Sequence, residues 1–122
     1  MKKKILIVED ETILLNVLLK KFRNEGFLVM GEKNGEVGLE RALKERPDLI
    51  LLDIIMPVMD GMTMLAKLRT DKWGKDVPVI MLTNLNNSED VEEASKHGVY
   101  DYLVKSNWRL EDVIGKVREA LS

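Results

Sequence analysis

Asp48-Leu49-Ile50-Leu51-Leu52-Asp53, set between Pro47 and Pro57, decides how this 122-residue chain is read. An apolar run this short, with a proline on either side, reads as a strand buried on both faces, the condition of a strand in a parallel sheet. It ends in a carboxylate. In an open parallel sheet the carboxyl ends of the strands line the ligand crevice, so Asp53 is a candidate for chemistry. A strand-end Asp taken alone more often opens a turn or caps the next helix. The other strand ends decide between these readings.

Ile5-Leu6-Ile7-Val8 is a second continuous apolar run, and it too stops at carboxylates, Glu9 and Asp10. Phe27-Leu28-Val29-Met30, Val77-Pro78-Val79-Ile80-Met81-Leu82 and Tyr102-Leu103-Val104 supply three more runs, the last two closed by Thr83 and Lys105. Helical patterns lie between them. The first is predicted to have Asp10 or Glu11 at its positive end, to bury Leu14, Val17, Leu18 and Phe22, and to stop at Gly26. After a turn at Asn34-Gly35, a second carries Val37, Leu39, Ala42 and Leu43 and is blocked by Pro47. A third carries Met64, Leu65 and Leu68; a fourth runs from the acidic Ser88-Glu89-Asp90 to Gly98; a fifth places Val113, Ile114, Val117 and Leu121 on one side. Five apolar strands alternating with five helices predict an α/β fold, a three-layer (βα)5 sandwich around a parallel sheet with right-handed crossovers.

Charged residues make up 33% of the chain and apolar ones 45%, proportions of a folded domain with a core, and 122 residues suit a single domain over 1–122. The net charge of -2 gives no reason to expect direct nucleic-acid binding or an anionic membrane as partner. The absence of cysteine excludes disulfides, thiolate metal sites and cysteine nucleophiles. Lys2-Lys3-Lys4 resembles the start of a signal peptide, yet Glu9-Asp10-Glu11 interrupts the apolar run that follows, and a cytoplasmic location is expected.

If the strands run parallel, Glu9, Asp10, Asp53, Thr83 and Lys105 collect at one edge of the sheet. Three clustered carboxylates repel one another unless a cation sits among them. A hard divalent ion with oxygen ligands suits them, and Mg2+, which keeps several waters, suits so few protein carboxylates better than calcium. The Lys105 ammonium and the Thr83 hydroxyl complete a set that is nearly neutral with the ion bound. A phosphoryl group on Asp53 would meet the ion, the ammonium and the hydroxyl, the kind of clamp that stabilises phosphoryl transfer to a carboxylate.

With these residues in view the chain resembles a response-regulator receiver domain, the phosphoacceptor module of two-component signalling. The resemblance rests on Glu9-Asp10, on Asp48 through Asp53 with Met56-Pro57-Val58-Met59-Asp60-Gly61, on Val79 through Thr83, and on Gly98 through Lys105. It implies a flavodoxin-like sheet order 2-1-3-4-5 and transfer of a phosphoryl group to Asp53 from the phosphohistidine of a histidine kinase or a histidine phosphotransfer protein. It implies Mg2+ held by Asp10, Asp53 and the backbone carbonyl of Ile55, with Glu9 acting through water. Lys105 would pair with the phosphoryl group, and Thr83 and Tyr102 would rearrange together as the switch toward a downstream protein target, an output domain or a phosphorylation-dependent dimer. Such a module is a switch that assists its own phosphorylation and dephosphorylation, not an enzyme acting on other molecules.

Four positions depart from the family's habit. Ser106 follows Lys105 where proline is common, and Asn84 stands where a very small residue is usual. Ile55 and Leu85 are apolar where polar groups often help water attack, so slow hydrolysis of a phosphoaspartate is expected. Apolar residues in excess of one stripe on the first helix, Ile13, Leu15 and Leu19, are expected to form a docking face for the phosphodonor. Trp108 is a candidate reporter of the switch, and His97, next to Gly98 at a helix end, has no catalytic role. Two other readings are a receiver-like scaffold that takes no phosphate, and a flavodoxin-like ligand-binding protein; Glu9-Asp10-Glu11 in the first strand-to-helix turn disfavours the latter, because it would repel a phosphate.

Overall fold

Leu49–Asp53 forms the central strand of the sheet, β3, in a computed structural model that describes residues 2–83, 88–105 and 108–122. The side chains of residues 83 and 88–90 lie outside that description. Around β3 run β1 (Lys4–Val8), α1 (Thr12–Asn24), β2 (Leu28–Glu32), α2 (Gly35–Glu45), α3 (Gly61–Arg69), β4 (Val79–Thr83), α4 (Ser88–Lys96), β5 (Asp101–Val104) and α5 (Leu110–Leu121). The five strands are parallel and lie in the order β2-β1-β3-β4-β5, as the resemblance implies. Val8 pairs with Leu52, and Asp53 with Leu82, so the carboxyl ends of the three inner strands are nearly level.

Alternation along the strands builds two cores. Leu6, Val8, Ile50, Leu52, Val79 and Met81 meet Ala42 of α2, Met64, Leu65 and Leu68 of α3, and Ala94 of α4. Ile5, Ile7, Leu49, Leu51, Ile80 and Leu82 meet Leu15, Leu18 and Phe22 of α1 and Val113, Ile114 and Val117 of α5. Both faces of the sheet are thereby covered, which is why the inner strands β1, β3 and β4 carry apolar runs without alternation. No helix among the described residues is long and apolar enough to cross a membrane.

Three local expectations are corrected. In α1 the buried face is Leu15, Leu18 and Phe22; Leu14 and Leu19 are half-buried, Val17 is exposed, and Ile13 is 82% exposed. The cause is Gly31 on β2: Leu15 and Leu19 come to 3.2 and 3.0 Å of where its Cβ would stand, so the helix seats those leucines on the bare backbone. Helix α1 starts where expected, with Glu11 at the N-cap position, although without a side-chain capping bond. Asn34-Gly35 is a helix start rather than a free turn: Asn34 caps α2 by accepting from Val37 N at 3.1 Å. That helix packs through Gly35, Gly38 and Ala42, leaving Val37 and Leu43 partly exposed.

Candidate functional site

The site lies where β1, β3 and β5 end. Glu9 continues β1 by one residue, its amide donating to the Glu32 carbonyl at 2.9 Å, and this carries its side chain inward to complete burial. Its Oε2 accepts from Glu11 N at 3.0 Å, which turns the chain toward α1. Asp10 is half-buried beside it. Asp53, the last residue of β3, is 4% exposed, and its Oδ1 accepts from the Ile54 amide at 2.9 Å. Ligand oxygens of Glu9, Asp10 and Asp53 lie within 4.8 Å of one another.

Lys105, one residue beyond β5, reaches across the end of β4 into this cluster. Its Nζ is in ion-pair contact with Glu9 Oε1 and lies 3.4 Å from Asp53 Oδ2. All three side chains are nearly enclosed, so these charges are poorly screened. Burial, and next the charge of Glu9, raise the Asp53 pKa to about 7 against the opposing pull of Lys105. Burial works against the Lys105 ammonium, but Glu9, Asp53 and Glu11 together raise its pKa above the usual lysine value.

Three carboxylates, two buried and that of Asp10 half-buried, facing one ammonium leave an excess of negative charge. Hard oxygen donors at this spacing fit a divalent cation of the Mg2+ or Ca2+ type.

The other expected residues divide. The backbone of Thr83 ends β4 opposite Val104, but its side chain lies outside the described residues, as do Asn84, Leu85 and Ser106 with the Lys105-Ser106 peptide bond. Tyr102 is half-buried and packs against the core on the α3 and α4 side. Ile55, two residues beyond Asp53, has a mostly exposed side chain in the loop leading to α3. Ile13 stands free in the first turn of α1, whereas Leu15 belongs to the core and Leu19 covers Gly31, so the expected docking trio reduces to Ile13 with its exposed neighbour Val17. His97 contributes a carbonyl to Arg69, and Trp108 packs half-buried against α1 and α5 residues.

Gly61, quoted from the sequence only as part of the resemblance, has a structural reason of its own. A Cβ on Gly61 would stand 2.0 Å from the Asp53 carbonyl oxygen, so only glycine lets α3 start this close behind the carboxylate. The Asp60-Gly61 pair carried that signal, with Asp60 Oδ1 accepting from Thr63 N at 2.7 Å to cap α3.

Residues 5–118 match the response regulator receiver domain. The DNA-binding dual master transcriptional regulator RpaA of Synechocystis is 33% identical over 97% of this chain and 48% of its own length. The probable transcriptional regulator ycf27 of Guillardia theta is 38% identical over 85% of this chain and 40% of its length. The chain thus spans half or less of these relatives. Among solved structures, chemotaxis response regulator CheY4 of Vibrio cholerae superposes with a TM-score of 0.91 at 27% identity, covering 99% of this chain and 100% of that one. A CheY-like receiver domain protein of Methanospirillum hungatei gives 0.92 at 29% identity, over 99% and 94%. Flavodoxin-like order, acidic strand ends and family match agree: the chain belongs to the response regulator receiver domain family.

Proposed function

We propose that Asp53 accepts a phosphoryl group from the phosphohistidine of a histidine kinase or histidine phosphotransfer protein, in a Mg2+-dependent reaction inside the cell, and that its occupancy changes which partner the domain binds. The observation that supports this is the meeting of Asp53 with Glu9, Asp10 and Lys105 in one nearly enclosed pocket.

Asp10 and Asp53, with the Ile55 carbonyl and Glu9 through water, would hold the cation. When bound, it supplies positive charge that offsets the clustered carboxylates and the incoming phosphoryl oxygens. Asp53 is the nucleophile. One of its carboxylate oxygens forms the O–P bond as the P–N bond of the donor breaks, and the departing imidazole takes up a proton. Ionised Asp53 is required, so Lys105 serves first by opposing the rise in its pKa. As negative charge grows on the phosphoryl oxygens, Lys105 exchanges its contact with Glu9 for one with them. That movement, with the hydroxyl of Thr83 following the phosphoryl group, is the event transmitted to Tyr102 and the face of α4, β5 and α5. The partner read by that face is a downstream protein target, an attached output domain or a second phosphorylated copy. The domain assists its own phosphorylation and dephosphorylation and acts on no other substrate.

Incubation with acetyl phosphate and Mg2+ followed by intact-mass measurement tests this. Wild type should gain one phosphoryl mass and Asp53→Asn none; equal uptake by both, or none by wild type, rejects the reading. With apolar Ile55 at the site's rim, the adduct should decay slowly once acetyl phosphate is removed, and a lifetime of seconds would contradict that.

A further inference from the structure

The loop behind Asp53 takes a path that its own sequence disfavours. Val58 has φ of 69°, and the Met59 amide donates to the Pro57 carbonyl at 2.8 Å, closing a three-residue turn around it. A β-branched residue in the left-handed region is strained, and Val58 is 76% exposed, so burial of its side chain does not compensate. Contacts outside the turn must therefore impose the path.

They come from two glycines. On one side Gly61, opening α3, donates to the Ile54 carbonyl at 2.7 Å against the close approach to Asp53 described above. On the other side α2 arrives from a different crossover. Its first residue, Gly35, donates its amide to the Met59 carbonyl at 2.8 Å, using one of the amides a helix start leaves unpaired. A Cβ on Gly35 would stand 2.5 Å from Met59 O, 2.9 Å from Asp60 O and 3.0 Å from the Met59 carbonyl carbon. All three are backbone atoms, so no side-chain rotation makes room.

We propose that Gly35 is a positioning residue for the phosphoacceptor: acting through the Met59 carbonyl, it seats the 54–60 loop, and with it the Ile55 backbone, behind Asp53. A side chain at position 35 pushes the loop outward and loosens the cation site without touching a carboxylate. The Asn34 cap holds Gly35 in place. The loop can then remain strained at Val58 because it is gripped at both ends.

This inference rests on the phosphoacceptor reading above, so its test has one arm independent of that reading. In the cation-free domain, Gly35→Ala is expected to speed amide exchange across residues 54–61 about tenfold, with β1 and α5 unchanged. In the second arm, calorimetric titration with Mg2+ should show affinity about tenfold to a hundredfold weaker, with a matching rise in the acetyl phosphate concentration for half-maximal rate. Val117→Ala, a core truncation in α5, controls for lost stability and should leave Mg2+ affinity as in wild type. If Gly35→Ala does not fold, Asn34→Ala, which frees the start of α2 without adding bulk to the loop, should show the same changes in smaller measure. Unchanged exchange at 54–61, or an Mg2+ affinity no weaker than that of Val117→Ala, overturns the proposal. Should wild type neither bind Mg2+ nor accept a phosphoryl group, the earlier reading fails and the exchange arm alone decides the role of Gly35.

Discussion

Asp53 is placed where its own charge is costly. Its folded pKa of about 7 stands above the ordinary 3.8, so between these values the folded state keeps a proton that the unfolded chain releases. Stability contributed by this group is therefore lost as pH rises through that window, and the full penalty is present above pH 7. Asp53→Asn removes the penalty, and should raise the melting temperature of the cation-free domain at pH 8 by about 5 °C. The gain should shrink toward pH 4, and saturating Mg2+ should narrow it at pH 8. Superimposable melting curves of the two proteins across this range would show that the carboxylate is not strained. That Asp53 ends an apolar strand can be seen in the chain order alone. Its raised pKa cannot, because it comes first from burial by packed neighbours and next from the charge of Glu9, which follows a strand more than forty residues earlier.

Helix α1 shows what periodicity leaves undecided at the scale of one element. Apolar residues at 13, 14, 15, 17, 18 and 19 satisfy a 3.6-residue repeat in more than one phase. The close approach to Gly31 selects the phase that buries Leu15. Leu15→Ser should accordingly destabilise the domain by about 3 kcal/mol, whereas Ile13→Ser, at an open position, should change stability by less than about 0.5 kcal/mol. Urea unfolding of the two variants checks the assignment, and equal losses would refute it. If α1 does receive the phosphodonor, as its surplus of apolar residues led us to expect, Ile13→Ser should slow transfer from a kinase while leaving uptake from acetyl phosphate intact. Helix α2 makes a similar point through small residues. Of Val37, Leu39, Ala42 and Leu43, which looked like its core face, Ala42 and in part Leu39 do meet the core, but Gly35 and Gly38 are what allow it to lie close to β1 and the phosphoacceptor loop.

At the scale of the molecule, one guanidinium joins segments that the sheet does not hold together. Arg69, closing α3, donates to the carbonyls of His97 at 2.6 Å, Gly74 at 2.7 Å, Val77 at 2.8 Å and Gly98 at 3.2 Å. It thereby ties the carboxyl end of α4 to α3 and to the approach to β4. Burial lowers its pKa, with Asp76 opposing, yet a guanidinium stays charged, and the four carbonyls take the place of water. Arg69→Met should cost about 2–3 kcal/mol and speed amide exchange over the end of α4 more than over β1. Unchanged exchange there would mean that α4 is anchored by other contacts. Because α4 borders the face proposed to carry output, this tether is the end about which α4 would pivot.

The order of apolar runs, the polar group that terminates each, and hence the gathering of Glu9, Asp10, Asp53 and Lys105 at one edge were legible in the chain, because strand burial and strand direction follow from local pattern. A parallel sheet then leaves little freedom in where strand ends go. The face α1 turns inward, the contact of Lys105 with Glu9 as well as Asp53, the fourfold grip of Arg69 and the seating of the loop by Gly35 were not legible. Each depends on distances of a few ångströms between segments remote in sequence, and those distances are set only when the helices have packed onto the sheet.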